Sequence, residues 1–103
     1  MNRGEVYSVR WPGVGEHPSV VVTRESAIPF LSNVTVVLVT STVRGMRTEV
    51  PLGHAEGLRQ ECVANCDNVL TIEKGAVGSR QGRLGPDRIR QLDGALALAL
   101  GLD

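Results

Sequence analysis

The chain has 103 residues, too few for two independent cores, so we expect one domain spanning residues 1–103. Eleven basic residues balance eleven acidic ones, and this zero net charge argues against a protein that coats long duplex nucleic acid, which usually needs a clear basic excess. A short strand held by a few local cations remains compatible with it, and all but one of the basic residues are arginine, which suits forked contacts with phosphate.

The first three-quarters of the chain predicts β-strands. Alternating apolar and polar residues indicate the first strand, and Val-rich, β-branched runs indicate the next two. The predicted strands are Glu5–Val9, Ser19–Thr23, Val34–Thr42, Arg47–Leu52, Glu61–Cys66, Val69–Ile72 and Ser79–Leu84.

The connections are predicted from Gly, Pro and polar residues. We expect loops at Arg10–His17 and Gly53–Gln60, and an irregular connection at Ala27–Asn33. Arg44-Gly45-Met46 is typical of a hairpin turn, and Glu73–Gly78 of a single helical turn.

The end of the chain changes period and predicts a helix. Gly85-Pro86-Asp87 is a helix start, with proline in the first turn and an acid near the positive end of the dipole. Ile89, Leu92, Leu96 and Ala99 then share one face, and Gly101 is a natural C-terminal stop. Short strands followed by one helix imply a mainly β fold, a strongly bent antiparallel sheet with the helix packed on it.

Cys62 and Cys66 are the only cysteines, and we interpret both as small buried apolar residues. A zinc site would need more ligands at suitable spacing than His17 and His54 add, so we expect no metal and no cofactor. Reduced thiols fit a reducing compartment.

No apolar run approaches the length that spans a membrane. The sequence begins Met1-Asn2-Arg3-Gly4 and shows no secretory signal. We therefore expect a cytoplasmic protein without a membrane partner.

Seven segments occur in an order that resembles one known family. They are Arg3–Tyr7, His17–Thr23, Val39–Thr42, Thr48–Val50, Cys66–Ile72, Gly82–Leu84, and Leu96 with Leu100-Gly101-Leu102. In this order the segments resemble the MazF/PemK toxins across essentially the whole chain. No single segment is specific, but seven in the correct order within one short domain are.

The resemblance implies an SH3-like antiparallel barrel of the CcdB/PemK type with a C-terminal helix, assembled as a homodimer. It also implies sequence-specific, metal-independent cleavage of single-stranded RNA, in which the ribose 2′-hydroxyl attacks the neighbouring phosphate and leaves a cyclic phosphate and a 5′-hydroxyl. Such a toxin is neutralised by a cognate antitoxin, which we expect to be a disordered segment that folds over the RNA groove.

Three residues are the catalytic candidates that the resemblance implies. His17 stands where the family usually has the arginine before Pro18. An imidazole both hydrogen-bonds phosphate and moves protons, which favours His17 as general acid or base. Thr40 matches the family's catalytic threonine, and Asp67 matches an aspartate that some relatives use as proton acceptor. The alternatives are a loop-end histidine without a role and a turn-stabilising aspartate.

Further residues are candidates for binding RNA or its phosphates: Arg10, Trp11, Arg24, Ser41, Thr42, Arg44 and Arg47. Arg10 or Arg24 is an alternative source of the positive charge that the family's usual arginine would supply at position 17. Trp11 falls in the first predicted loop, where stacking on a base contributes roughly 1–3 kcal/mol, although an exposed tryptophan equally suits a dimer or antitoxin contact. His54 and Glu56–Glu61 are interpreted as solvated loop.

Two other functions compete with RNA cleavage. CcdB uses the same barrel to poison gyrase through its C-terminal helix and cleaves nothing, but Thr40 and the residue before Pro18 favour the ribonuclease branch. A non-enzymatic SH3-like interaction module needs an aromatic-lined groove, and this chain has only three aromatic residues.

Overall fold

A computed structural model describes all 103 residues of the chain as one curled antiparallel sheet and a C-terminal helix. The strands are β1 (Glu5–Trp11), β2 (Gly15–Val21), β3 (Asn33–Thr40), β4 (Glu49–Leu52), β5 (Cys62–Glu73) and β6 (Arg80–Arg83), and the helix is α1 (Pro86–Ala99). Their order in the sheet is β4-β5-β3-β2-β1-β6. The predicted fold class, mainly β with one C-terminal helix, is confirmed.

The connection between the first two strands is shorter than predicted. β1 continues to Trp11 and β2 begins at Gly15, so the expected loop over Arg10–His17 is wrong and only residues 12–14 make the turn. Gly13 and Gly15 have positive φ, a backbone conformation that glycine adopts without strain, and this allows the tight reversal. His17 consequently lies within a strand.

β5 joins two predicted strands into one. Val37 of β3 pairs with Val69, but the next residue, Leu38, pairs with Asn65, so residues 66–68 bulge out of the ladder. The bulge bends β5 without ending it, and both halves stay hydrogen-bonded to β3. The sequence signal at Asp67-Asn68 therefore marks a bulge within a strand.

The hairpin predicted at Arg44-Gly45-Met46 is wrong. β4 pairs with β5 and not with β3, so the 41–48 connection carries the chain past the first half of β5. Gly45 does have a positive φ, as a turn requires. The hydrogen-bonded turn lies later, over residues 46–49, where the Glu49 backbone N–H donates to the Met46 carbonyl oxygen, and the strand that follows pairs with β5.

The core lies between the curled sheet and α1. Leu92 of α1 is fully buried in a cluster with Val6, Val20 and Val37, and Ile89, Leu96 and Ala99 pack against this cluster as the helical period predicts. A smaller second cluster lies on the other side of β1, β2 and β3. None of the helices combines the length and apolar character needed to span a bilayer.

Both cysteines are buried, as predicted. Burial raises the pKa of the Cys62 thiol, with a further contribution from Glu56. Burial and the nearby Asp67 raise the pKa of Cys66 to about 11. Since the thiolate is the reactive form, these cysteines behave as small apolar residues.

The loop after β4 closes the curl by packing on β6 at the opposite edge of the sheet. A Cβ on Gly82 would stand 1.9 Å from the Glu56 carbonyl oxygen, and one on Gly57 would stand 2.8 Å from the Gln81 carbonyl oxygen. Only glycine fits at these two contacts. They hold the residue 53–60 loop, which we expected to be solvated, against the last strand.

Candidate active site

A groove of about 670 Å³ opens where β3 ends at Thr40. We call it the His17 groove. Its lining residues are Ser8, Glu16, His17, Pro18, Val39, Thr40, Ser41, Gly57, Leu58, Arg59, Gln60, Cys62, Ser79 and Gln81. Most of these are polar, and they come from β1, β2, β3, β6 and the loop before β5.

His17 lies at the point where β2 separates from β3. The backbone ladder between these strands ends at Ser19 and Leu38. Beyond it, Nδ1 of His17 lies 3.1 Å from the Val39 carbonyl oxygen. Because a carbonyl only accepts hydrogen bonds, Nδ1 is assigned the proton. This contact orients the ring and leaves Nε2 available to exchange a proton with a ligand.

Thr40 is the next residue along β3 and lines the same groove. Its Oγ1 accepts a hydrogen bond from the Thr42 backbone N–H at 3.1 Å. A hydroxyl that accepts from the backbone still has its own O–H to donate. The side chain is therefore held by its neighbour while remaining able to donate to an anion in the groove.

Arg59 brings a cation to the groove that the sequence interpretation missed. The sequence predicts a solvated loop for its segment, but Glu56 and Leu58 are buried and Arg59 lines the groove. The ring Nε2 of His54 bonds to the Arg59 carbonyl oxygen at 2.8 Å and steadies the backbone. Arg59 takes part in none of the salt bridges in the structure, so no carboxylate competes for its charge.

The sequence contained one usable signal for Arg59. The residue lies three positions before β5, which begins at Cys62, and Val63 near the start of β5 pairs with Thr40. A cation at that end of β5 therefore has to lie near the end of β3. The approach of its loop to β6, which depends on Gly57 and Gly82, had no recognisable pattern.

Asp67 does not line the His17 groove. It lies in the β5 bulge, where its Oδ2 accepts a 2.6 Å hydrogen bond from the Thr48 hydroxyl. Its backbone N–H is bonded to the Asn65 side chain at 3.0 Å. The geometry matches the alternative in which Asp67 stabilises a turn.

Trp11 requires a correction. It is only 7% exposed and belongs to the second core cluster, with its indole N–H donating to the buried Ser19 hydroxyl at 2.9 Å. The indole is turned inward because β1 extends through Trp11 instead of ending before it. It therefore offers no face on which a base could stack.

The remaining binding candidates differ in whether they line the His17 groove. Ser41 lines the groove, and Arg10 reaches it only through a long 3.8 Å contact with Glu16. The other exposed candidates, which do not line the groove, are Arg24, Thr42, Arg44 and Arg47. Arg24 lines a different groove.

That second groove, of about 490 Å³, opens near the beginning of β3, and we call it the Leu100 groove. Leu31, Val69 and Leu100 are large apolar side chains exposed there. Its full lining is Val22, Thr23, Arg24, Leu31, Ser32, Asn33, Thr35, Val69, Thr71, Leu96 and Leu100. The two grooves thus lie near opposite ends of the same strand.

Comparison with known proteins decides the family. Residues 2–100 match the PemK-like, MazF-like toxin of type II toxin–antitoxin systems. The chain belongs to this toxin family. It is 43% identical over 84 residues to the endoribonuclease MazF3 of Mycobacterium tuberculosis, a match that covers 82% of this chain and 78% of that protein.

Solved structures of the family superpose closely on this chain. The Mycobacterium tuberculosis toxin MazF-mt6 has a TM-score of 0.89 and 36% identity, over 96% of this chain and 98% of that one. An endoribonuclease from a mycobacterial species, in complex with its cognate antitoxin, also has a TM-score of 0.89, with 32% identity over 100% and 97% of the chains. The resemblance noted from the seven sequence segments is confirmed.

Proposed function

We propose that this chain is an endoribonuclease toxin that cleaves single-stranded RNA in the His17 groove and is neutralised by an antitoxin. Family membership and the endoribonuclease names of its relatives support the class of activity. One observation carries the location: a histidine, a threonine hydroxyl and an unpaired arginine line a single open groove. The lining of the Leu100 groove includes no histidine.

The three side chains supply what cleavage by a ribose hydroxyl needs. Nε2 of His17 takes the proton of the 2′-hydroxyl while the 2′-oxygen bonds to phosphorus. The P–O5′ bond breaks, the 5′-oxygen takes a proton from water, and a cyclic phosphate remains. The Thr40 hydroxyl and the Arg59 guanidinium donate to the non-bridging oxygens, where negative charge increases in the transition state.

The reaction runs without a metal ion in this proposal. Arg59 provides the positive charge, and His17 provides the base, so the two functions that a metal ion performs in other nucleases are assigned to side chains. The position of Arg59 also accounts for a family member that has histidine in place of the usual arginine. In this proposal Arg59 supplies that positive charge from another loop at the rim of the same groove.

We assign the Leu100 groove to a homodimer contact. Val69 and Leu100 are 41% and 59% exposed, and with Leu31 they form an apolar surface next to the end of α1. Clustered exposed apolar side chains indicate a protein contact surface. The antitoxin complex of a relative supports the second partner, a cognate antitoxin that competes with RNA. Because the proposed substrate is cellular RNA, we propose that the toxin acts in the cytoplasm.

The direct test incubates purified protein with a long RNA in EDTA. We expect discrete fragments with 5′-hydroxyl and cyclic phosphate ends. Intact RNA, together with gyrase trapped on DNA, would instead identify a gyrase poison. Adding a stoichiometric amount of the cognate antitoxin should abolish the cleavage, and undiminished cleavage would contradict the proposed competition.

A further inference from the structure

The His17 groove contains a carboxylate that the proposed chemistry does not use. Glu16 precedes His17 on β2 and lines the same groove, with its side chain 61% exposed. A negative charge beside a phosphate-binding site repels the RNA backbone. Its presence there calls for a partner in the RNA other than a phosphate.

The carboxylate of Glu16 is held in place by β1. Ser8 and Glu16 lie on the same face of the β1–β2 pair, where Ser8 pairs with Pro18 and Arg10 with Glu16. The Ser8 hydroxyl, itself nearly buried, donates to Oε1 of Glu16 at 2.5 Å. The one salt bridge of Glu16 is with Arg10, whose guanidinium lies 3.8 Å from Oε2. Ser8 therefore orients the carboxylate through Oε1, and Oε2 keeps acceptor capacity for a ligand.

The rest of this part of the groove is polar but uncharged. Gln60, Gln81 and Ser79 line it together with Glu16. Amide and hydroxyl side chains match the edges of bases better than they match phosphates, and sequence-specific proteins read unpaired RNA through such edges. Base recognition is the role that fits this set of groups.

The chemistry of a carboxylate selects one base. Guanine presents two neighbouring donors, N1–H and N2–H₂, and no acceptor between them. Cytosine and adenine present an amino donor next to a ring-nitrogen acceptor, and uracil presents one donor between two carbonyls, so each would place an acceptor against the carboxylate. We propose that Glu16 determines cleavage specificity by accepting hydrogen bonds from N1–H and N2–H₂ of a guanine next to the cleaved bond.

This inference rests on the proposed ribonuclease function and is tested on an RNA pool randomised at every position. We expect wild-type protein to enrich guanine at one position near the cut. Replacing that guanine by inosine, which lacks the amino group, should reduce kcat/KM at least about tenfold. Glu16→Gln should bring the guanine-to-inosine ratio close to one, mainly through KM. Glu61→Gln, which removes an exposed carboxylate that does not line the groove, should leave the ratio unchanged.

The outcomes separate the two proposals. A wild-type protein that leaves the whole pool intact contradicts the ribonuclease function itself. Cleavage without guanine enrichment overturns the role of Glu16 alone, as does a Glu16→Gln variant that keeps the wild-type preference. A uniform loss of kcat on every sequence in Glu16→Gln would identify a proton-transfer residue and would also overturn the recognition role.

Discussion

The two grooves near the ends of β3 differ in nearly every property except the strand they share. At the Thr40 end, the His17 groove is lined mostly by polar side chains and includes an imidazole and an arginine without an ion-pair partner. At the Asn33 end, the Leu100 groove exposes Leu31, Val69 and Leu100.

This difference suits the His17 groove to catalysis and the Leu100 groove to dimer formation. Proton transfer and anion binding need groups with hydrogen-bonding capacity left over, which Nε2 of His17 and the Thr40 hydroxyl have. Association needs apolar area that leaves water, which the Leu100 groove provides. A short domain of this kind can carry both because a strand presents two ends that do not interfere with each other.

The largest expected effect is at His17. His17→Ala removes the proposed base and should reduce the single-turnover cleavage rate about 10²- to 10⁴-fold, while loss of the bond to the Val39 carbonyl oxygen should cost only about 0.5–1.5 kcal/mol of stability. His17→Arg adds a cation that can stabilise the phosphate charge but stays protonated and cannot act as the base, so its rate should stay well below that of wild type. If His17→Ala cleaves as fast as wild type, His17 is not the general base, and the assignment of catalysis to the His17 groove is contradicted.

Val69→Lys tests whether the Leu100 groove is the dimer contact. It adds a cation near Arg24 in the Leu100 groove, and an unpaired charge inside a contact surface should weaken the dimer by at least about two orders of magnitude. Analytical ultracentrifugation measures the association. Val14→Lys alters another exposed valine, at the turn between β1 and β2, and serves as the control. Equal dimer affinity in both variants would show that the Leu100 groove faces solvent.

Two arginines, one in each groove, sharpen the comparison further. Arg59→Gln removes a charge-assisted hydrogen bond to phosphate and should reduce kcat about 10- to 100-fold. Arg24→Gln removes the same charge from the Leu100 groove and should leave kcat unchanged. Cleavage assays at several salt concentrations measure both. Equal losses in the two variants would indicate a diffuse electrostatic effect instead of a local one.

Asp67 should have the smallest effect on cleavage because it lies in neither groove. Asp67→Ala should change kcat by less than about threefold. It should lower the free energy of unfolding by about 1–3 kcal/mol, because the buried Thr48 hydroxyl loses its acceptor. Adding Thr48→Val removes the unpartnered hydroxyl and should restore part of that stability in chemical denaturation. A large loss of kcat in Asp67→Ala would contradict this and would show that Asp67 takes part in catalysis.

The sequence predicted what repeats locally and missed what depends on distant contacts. Strand periodicity and the Pro86 helix start follow from neighbouring residues, so the fold class and α1 are confirmed. The partner of β4 depends on the path of β5, which no turn residue encodes. Trp11 was assigned to solvent because Pro12 and Gly13 suggested a loop, although the strand continues up to them.

The candidate site divides in the same way. His17 and Thr40 were found because each belongs to a recognisable segment of a neighbouring strand, and the register of β2 and β3 brings them together. Arg59 was missed because its position depends on the packing of Gly57 and Gly82 across the edges of the curled sheet. Such contacts are between residues far apart in the chain and leave no periodic trace.

The most direct test of the central claim is a double-mutant cycle on cleavage of one RNA, using His17→Ala, Thr40→Val and both together. Thr35→Val, at the other end of β3, is the control and should cleave like wild type. If the imidazole and the hydroxyl act on one phosphate, the double variant should be little slower than the slower single variant, because groups that act as a unit are not additive. Rate losses that multiply would contradict the account, since they would show two side chains working at separate places.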